Sequence, residues 1–185
     1  MPYTLYRGDE RSPEAIRDAG GFGAWVSLSF TQARALVERF NNASTDDVDL
    51  PLQGHRLIVQ VNTGKKAKLL DLTRYVKVIR DRTSVQVSTD LTPECGGYAS
   101  GNIFKMRFDT LYSHDSQTGL VIHNPDSLEV TSHFGAKVIT DTGDLATARL
   151  IAITSKGNEV YFLTPIPVAN ISHCKLKGSD SWQSV

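Results

Sequence analysis

Apolar and polar positions alternate in short blocks along the chain, and the spacing shifts between a strand period and a helix period. Leu5-Tyr6-Arg7 predicts a short strand, with its exit from Asp9 to Ser12. The run Ser12-Pro13-Glu14-Ala15-Ile16-Arg17-Asp18-Ala19-Gly20 is punctuated as a short helix: Ser12 as N-cap, Pro13 at the first helical position, Gly20 as the stop. Residues 24–29 predict a strand leading into 30–40, where Ala33, Leu36, Val37 and Phe40 recur at spacings of three and four, one face of a helix. Asn41-Asn42 ends that helix, and 43–53, with Asp46, Asp47 and Asp49, reads as a polar loop. Residues 56–62 and 85–88 predict strands, while 68–72 and 75–79 are apolar stretches that fit strand or helix equally. Polar turns are expected at 113–118 and 140–143, with short strands at 121–123 and 128–130 between them. Strands at 150–153 and 159–163 flank a polar loop at 154–158, and Thr164-Pro165-Ile166-Pro167 stops the second. Residues 169–176 predict a last strand, followed from Lys177 by a Gly, Ser and Asp-containing tail expected to fray. Many short strands with few helices point to a mostly antiparallel α+β domain.

Composition narrows the function classes. The 185 residues fit one domain, 1–176, with 73–145 as a candidate insertion and 177–185 as a flexible tail. Hydrophobic residues make up 40% and charged residues 22%, ordinary globular values that exclude wholesale disorder. Twenty basic residues balance twenty acidic ones, which excludes binding to nucleic acid by bulk charge and leaves room for a local basic patch. Lys65-Lys66, Lys68, Arg74, Lys77, Arg80 and Arg82 form such clusters, with Tyr75 and Tyr98 as aromatic residues able to stack on bases. No apolar run approaches the ~20 residues needed to span a bilayer, and the first residues show no signal peptide. Cys95 and Cys174 form no C-x-x-C, and the five histidines form no H-E-x-x-H, so no metal site is expected.

Three features carry chemistry. The first is Tyr6-Arg7-Gly8-Asp9-Glu10-Arg11-Ser12-Pro13-Glu14-Ala15-Ile16, closed by Gly20-Gly21. The second is Val26-Ser27-Leu28-Ser29, leading into a helix. The third is Gly157-Asn158-Glu159-Val160, followed by Ile166-Pro167 and Asn170-Ile171. Each alone fits a plain ion pair, surface hydroxyls or a strand-start carboxylate. In this order they resemble the bacterial mono-ADP-ribosyltransferase toxins of the cholera and pertussis group. In that family an Arg on the first strand, an S-T-S strand motif and a later Glu form the site. Val26-Ser27-Leu28-Ser29 resembles its V-S-T-S with Leu28 in place of Thr. The resemblance covers about 3–40, 55–63 and 155–172 and implies two small antiparallel sheets forming an NAD cleft, with peripheral helices.

The resemblance implies that Glu159, Arg7 and Ser27 are catalytic and that Arg7, Gly8, Asp9, Ser27 and Ser29 contact NAD, the substrate, with no metal. Glu159 would accept a hydrogen bond from the ribose 2′-hydroxyl and stabilise the oxocarbenium-like charge that develops as nicotinamide leaves. Ser27 would hold Glu159 in register. Arg7, oriented by Asp9, would bind a phosphate or ribose with its always-charged fork. Trp25 is a weaker candidate, an aromatic wall or plain core. Arginine-modifying members carry a second Glu two positions before the catalytic one; Gly157 stands there, so arginine is a doubtful acceptor. Gly157 and Asn158 are the candidates for acceptor contact. The expected acceptor is a protein or a nucleic acid. A monomeric toxin or effector acting in the cytosol of a target cell is implied, with an immunity protein as a further partner and no membrane. Two alternatives stand beside it: an NAD glycohydrolase using water as acceptor, and an inactive binding module of the same fold.

Overall fold

Alternating side chains build the central strands. In Tyr3–Asp9 (β1), Tyr3 and Leu5 turn inward; in Asn102–Phe108 (β6), Phe104, Met106 and Phe108 do so while Lys105 and Arg107 turn out. The computed structural model describes residues 3–24, 27–41, 48–52, 55–59, 86–115, 119–122, 138–154 and 159–185. Between β1 and β6 lie helix α1 (Pro13–Asp18), β2 (Gly21–Phe22), helix α2 (Phe30–Asn41), β3 (Val48–Leu52), β4 (His55–Val59) and β5 (Val87–Asp90). After β6 come β7 (Tyr112–Asp115), β8 (Gly119–Ile122), β9 (Val138–Thr140), β10 (Ile151–Thr154) and β11 (Glu159–Phe162). The chain closes with β12 (Ile166–Pro167), β13 (Ile171–Lys175) and β14 (Trp182–Ser184). The fold is α+β, mostly sheet. Among the described residues no helix is long and apolar enough to cross a membrane.

Among the described residues ten strands join in one antiparallel sheet, ordered β14-β13-β6-β1-β5-β11-β10-β9-β7-β8. Pairing is uneven along it. β1 pairs with β6 from Tyr3↔Phe108 to Asp9↔Asn102, and β5 pairs with β11 along its whole length. β1 and β5 meet at one register pair, Tyr6↔Asp90. The strands expected as two small sheets are thus one ladder whose halves part at that junction. The smaller pairs are β12 with β2 and β3 with β4.

The core lies on the inner face: Tyr3, Leu5, Phe104, Met106 and Phe108 meet Ile16, Phe22, Val160, Phe162 and Ile166. Phe22 packs edge-on to Phe104 and Phe108 stacks on Phe162, both at 5.3 Å between ring centroids. Each large apolar side chain so buried contributes about 1.5–3 kcal/mol.

Among the described residues, α1 forms where its caps predict it and α2 where the periodicity does. Ser12 Oγ accepts from the Ala15 N–H at 3.2 Å, and Gly20, at φ 76°, turns the chain out of α1. α2 is anchored by Arg34, which donates to the carbonyls of Leu145 at 2.9 Å and Ala148 at 3.1 Å.

Several expectations change. Residues 24 and 27–29 are not strand; Trp25 and Val26 lie outside the described residues, and Gly21–Phe22 forms the local pair instead, with Ile166–Pro167. Val48–Leu52, inside the expected polar loop, pairs with β4, and Tyr112–Asp115, overlapping the expected turn, pairs with β8 and β9. β5 and β6, within the span taken as a candidate insertion, occupy the middle of the sheet, because they supply the partners on both sides of β1. The tail expected to fray pairs at Trp182–Ser184 with β13, held by ring contacts of Trp182 with Tyr6, Lys105 and Lys175. Cys95 and Cys174 are free, buried thiols. The apolar stretches 68–72 and 75–79, the basic clusters from Lys65 to Arg82 and the strand expected at 128–130 lie outside the described residues.

Candidate active site

Where β1 and β5 part, a cleft of about 360 Å³ opens, lined by Tyr6, Arg7 and Gly8 of β1, Ser88, Thr89 and Asp90 of β5, Glu159 and Tyr161 of β11, and Cys95 and Tyr98 of the connection to β6. Strand register explains the convergence. Glu159 pairs with Asp90 and Tyr161 with Ser88, and directly opposed residues project from the same face. Their neighbours Val160, Phe162 and Val87 turn to the core. Asp90, Ser88, Glu159 and Tyr161 therefore share one face at the cleft, while Val87, Val160 and Phe162 of the other parity anchor the strands in the core.

Arg7 shares strand parity with Tyr3 and Leu5, so it continues the inward face to the rim of the core. Its guanidinium carbon lies 5.3 Å from the Phe22 ring centroid. Nη1 donates to the Ser88 carbonyl oxygen at 2.8 Å. Nε is buried without a hydrogen bond and meets Asp9 Oδ2 as an ion pair at 3.5 Å. Burial lowers the Arg7 pKa from its ordinary value, with the Asp9 charge opposing. Asp9 is held chiefly by Arg11, whose Nε and Nη2 donate to its two oxygens, each at 2.8 Å. Burial alone would raise the Asp9 carboxyl; the Arg11 hydrogen bonds and the Arg11 and Arg7 charges outweigh it and hold the group below its ordinary value.

Glu159 accepts a hydrogen bond on each oxygen. Ser88 Oγ donates to Oε1 at 3.1 Å and Tyr161 Oη to Oε2 at 2.5 Å. Arg7, Ser88 and Glu159, on three adjacent strands, are thus linked through the two ends of Ser88: its carbonyl to the guanidinium and its hydroxyl to the carboxylate. Asp90, buried beside them, ends β5 by accepting from the Thr92 N–H at 2.7 Å and the Thr92 hydroxyl at 2.9 Å.

The cleft wall needs a glycine at position 8. A Cβ there would lie 2.2 Å from the Tyr98 carbonyl oxygen, far inside contact distance. That approach seats the turn that presents Tyr98, a residue 78% exposed at the cleft rim. Cys95 faces the cleft from the same turn. Burial, then the Asp90 charge, pushes its thiol up to about 11, so it is a protonated wall residue at neutral pH.

The structure brings Arg7, Gly8 and Glu159 to one cavity. Asp9 flanks it through its ion pair with Arg7. It does not bring Ser27 or Ser29 there. Ser27 is exposed and is not among the lining residues. Ser29 caps α2 reciprocally: its hydroxyl accepts from the Gln32 N–H at 3.2 Å, and the Gln32 side chain accepts from the Ser29 N–H at 2.8 Å. Gly157 and Asn158 lie outside the described residues. The serine among the lining residues is Ser88, which the motif order does not single out, nor does it single out Thr89, Asp90 or Tyr161. A signal was present: Val87-Ser88-Thr89 reads V-S-T in full, where Val26-Ser27-Leu28 does not, with Asp90 closing the string in place of Ser.

Among the described residues no group of three or more His, Cys, Asp or Glu side chains is placed to hold a metal. No protein-family model matches the chain, and a search of curated proteins finds no match to it.

Proposed function

We propose that the chain is an NAD-dependent mono-ADP-ribosyltransferase that cleaves the nicotinamide–ribose bond and passes ADP-ribose to a macromolecular acceptor. One observation carries this reading: an Arg, a Ser and a Glu from three adjacent strands, linked through Ser88, line one cleft where the sheet parts. The single β1–β5 pair fits the two-sheet arrangement that the resemblance implies, with the cleft at the junction. Ser88 takes the part that the motif order gave to Ser27.

The chemistry follows from the groups present. As the C1′–N bond breaks, its electron pair leaves with neutral nicotinamide, and positive charge grows on the ribose. Glu159, held at both oxygens, is a fixed negative group whose attraction strengthens as that charge develops. Its donors also keep it from swinging out of register. Arg7 offers a guanidinium to a phosphate or ribose hydroxyl. The acceptor nucleophile then bonds to C1′ and its proton passes to solvent.

Gly157 in place of a second carboxylate favours an acceptor other than arginine, and it also favours a second reading, hydrolysis of NAD with water as acceptor. Nicotinamide release from NAD, measured with and without cell lysate, separates the two. Release that rises with lysate, together with transfer of label, supports the transferase; equal release with no transferred label supports the hydrolase. Glu159→Gln is expected to abolish release while NAD still raises the melting temperature. Full turnover by that variant would overturn both readings.

A further inference from the structure

One row of directly opposed residues crosses five strands: Glu159 pairs with Asp90, Asp90 with Tyr6, Tyr6 with Lys105, and Lys105 with His173. Residues so paired project from one face. Lys105 is three strand spacings from Glu159, roughly 14 Å at ~4.8 Å each. Two residues along the neighbouring strands, on the same face, Lys175 pairs with Trp182. Trp182 is 37% exposed, and its ring receives both ammonium groups at 5.9 Å from its centroid. Tyr6, which lines the cleft, lies 6.0 Å from Trp182 between ring centroids. An aromatic and cationic strip therefore runs without interruption from β14 to the site.

We infer that Lys105, Lys175 and Trp182 form a docking platform for a single-stranded nucleic-acid acceptor, which Tyr6 leads into the cleft. This rests on the transferase reading and names its acceptor. Two cations beside an exposed indole match what a single strand offers, an anionic backbone and unpaired bases with free faces. No ion pair with a described residue claims either lysine; the exposed Glu94 is the acidic neighbour whose charge interacts with Lys175. A duplex would keep its bases stacked away from Trp182, which favours a single strand. The chain's zero net charge confines this attraction to the strip. Tyr98, exposed and lining the same cleft, is a second surface on which the base entering the cleft can stack.

The test is anisotropy of a fluorescent oligonucleotide of about 12 nucleotides, a length suited to such sites, titrated with the full chain without NAD. The double substitution Lys105→Ala with Lys175→Ala is expected to weaken binding and to reduce the slope of log K against log salt by about 1.4, at ~0.7 for each phosphate no longer neutralised. Trp182→Ala is expected to weaken binding about tenfold, and Trp182→Tyr, which keeps a stacking ring in β14, to restore most of it. Melting curves identify any variant that fails to fold, and the double lysine variant tests the platform apart from the edge strand. With labelled NAD, the label on the oligonucleotide should fall in the double lysine variant while nicotinamide release from NAD alone stays unchanged. Oligonucleotide binding equal in wild type and the double variant overturns the platform, as does lysate label that resists nuclease and yields to protease. Because binding is read without NAD, loss of the platform is distinguishable from failure of the transferase reading, which appears as absent nicotinamide release in wild type.

Discussion

Ser88→Ala isolates one hydrogen bond of the proposed site. The hydroxyl donates to Glu159 Oε1 at 3.1 Å, while the Ser88 carbonyl that accepts from Arg7 belongs to the backbone and survives the substitution. A hydrogen bond to a charged group contributes about 1.5–3 kcal/mol. At 1.36 kcal/mol per factor of ten, its loss lowers kcat/KM for nicotinamide release by about tenfold to 150-fold, if the bond is needed in the transition state. Tyr161 still holds Oε2, so Glu159 loses its register without losing its place in the cleft. The fall should therefore sit mainly in kcat, with KM for NAD nearly unchanged. Ser88 is half-buried, and removing one oxygen leaves no cavity in the core, so the urea midpoint should hardly move. The control is Ser27→Ala, which removes an exposed hydroxyl outside the cleft and should leave kcat within twofold of wild type. Full activity in Ser88→Ala, or an equal loss in Ser27→Ala, would refute the assignment of the catalytic hydroxyl.

Gly8→Ala should destabilise the fold by about 1–3 kcal/mol, the usual range for overpacking, because its Cβ would meet the Tyr98 carbonyl at 2.2 Å; urea unfolding reads this directly, and an unchanged midpoint would show that the turn yields freely. Asp9 should make stability depend on pH. Its folded pKa is depressed, so its contribution is present above the unfolded value of about 3.9 and is lost as pH falls through the folded value. Asp9→Asn should accordingly flatten the loss of stability below about pH 4, and parallel curves for the two proteins would contradict the Arg11 and Arg7 contacts as its cause. Both thiols are pushed up to about 11, chiefly by burial. On the order of one thiol in a thousand is ionised at pH 8, so the native chain should resist alkylation that proceeds readily in urea. Rapid labelling of the native protein would show that Cys95 or Cys174 is reached without unfolding.

What the sequence made legible was local. Ser12, Pro13 and Gly20 mark α1 because a cap, a fixed φ and a left-handed turn act within one helical turn. Leu5 and Arg7 mark β1 through strand parity. Phe104-Lys105-Met106-Arg107-Phe108 is as plain an alternation as any in the chain, and its period of two marks β6. The choice between two V-S strings is a different matter, since both carry a hydroxyl on an apolar strand-like run and both precede Glu159. Ser29 even sits at the right spacing, but Gln32 three residues on makes it half of a reciprocal cap, a local use that competes with the motif. What places Ser88 at the cleft is its pairing with Tyr161 across the sheet and its two hydrogen bonds, with Arg7 and with Glu159. Those bonds join residues 81 and 71 positions apart. They exist because β5 lies between β1 and β11, an order that no local pattern encodes. A motif matched by order alone remains degenerate wherever strands cross in sequence; in the proposed site, pairing in the sheet favours Ser88 over Ser27.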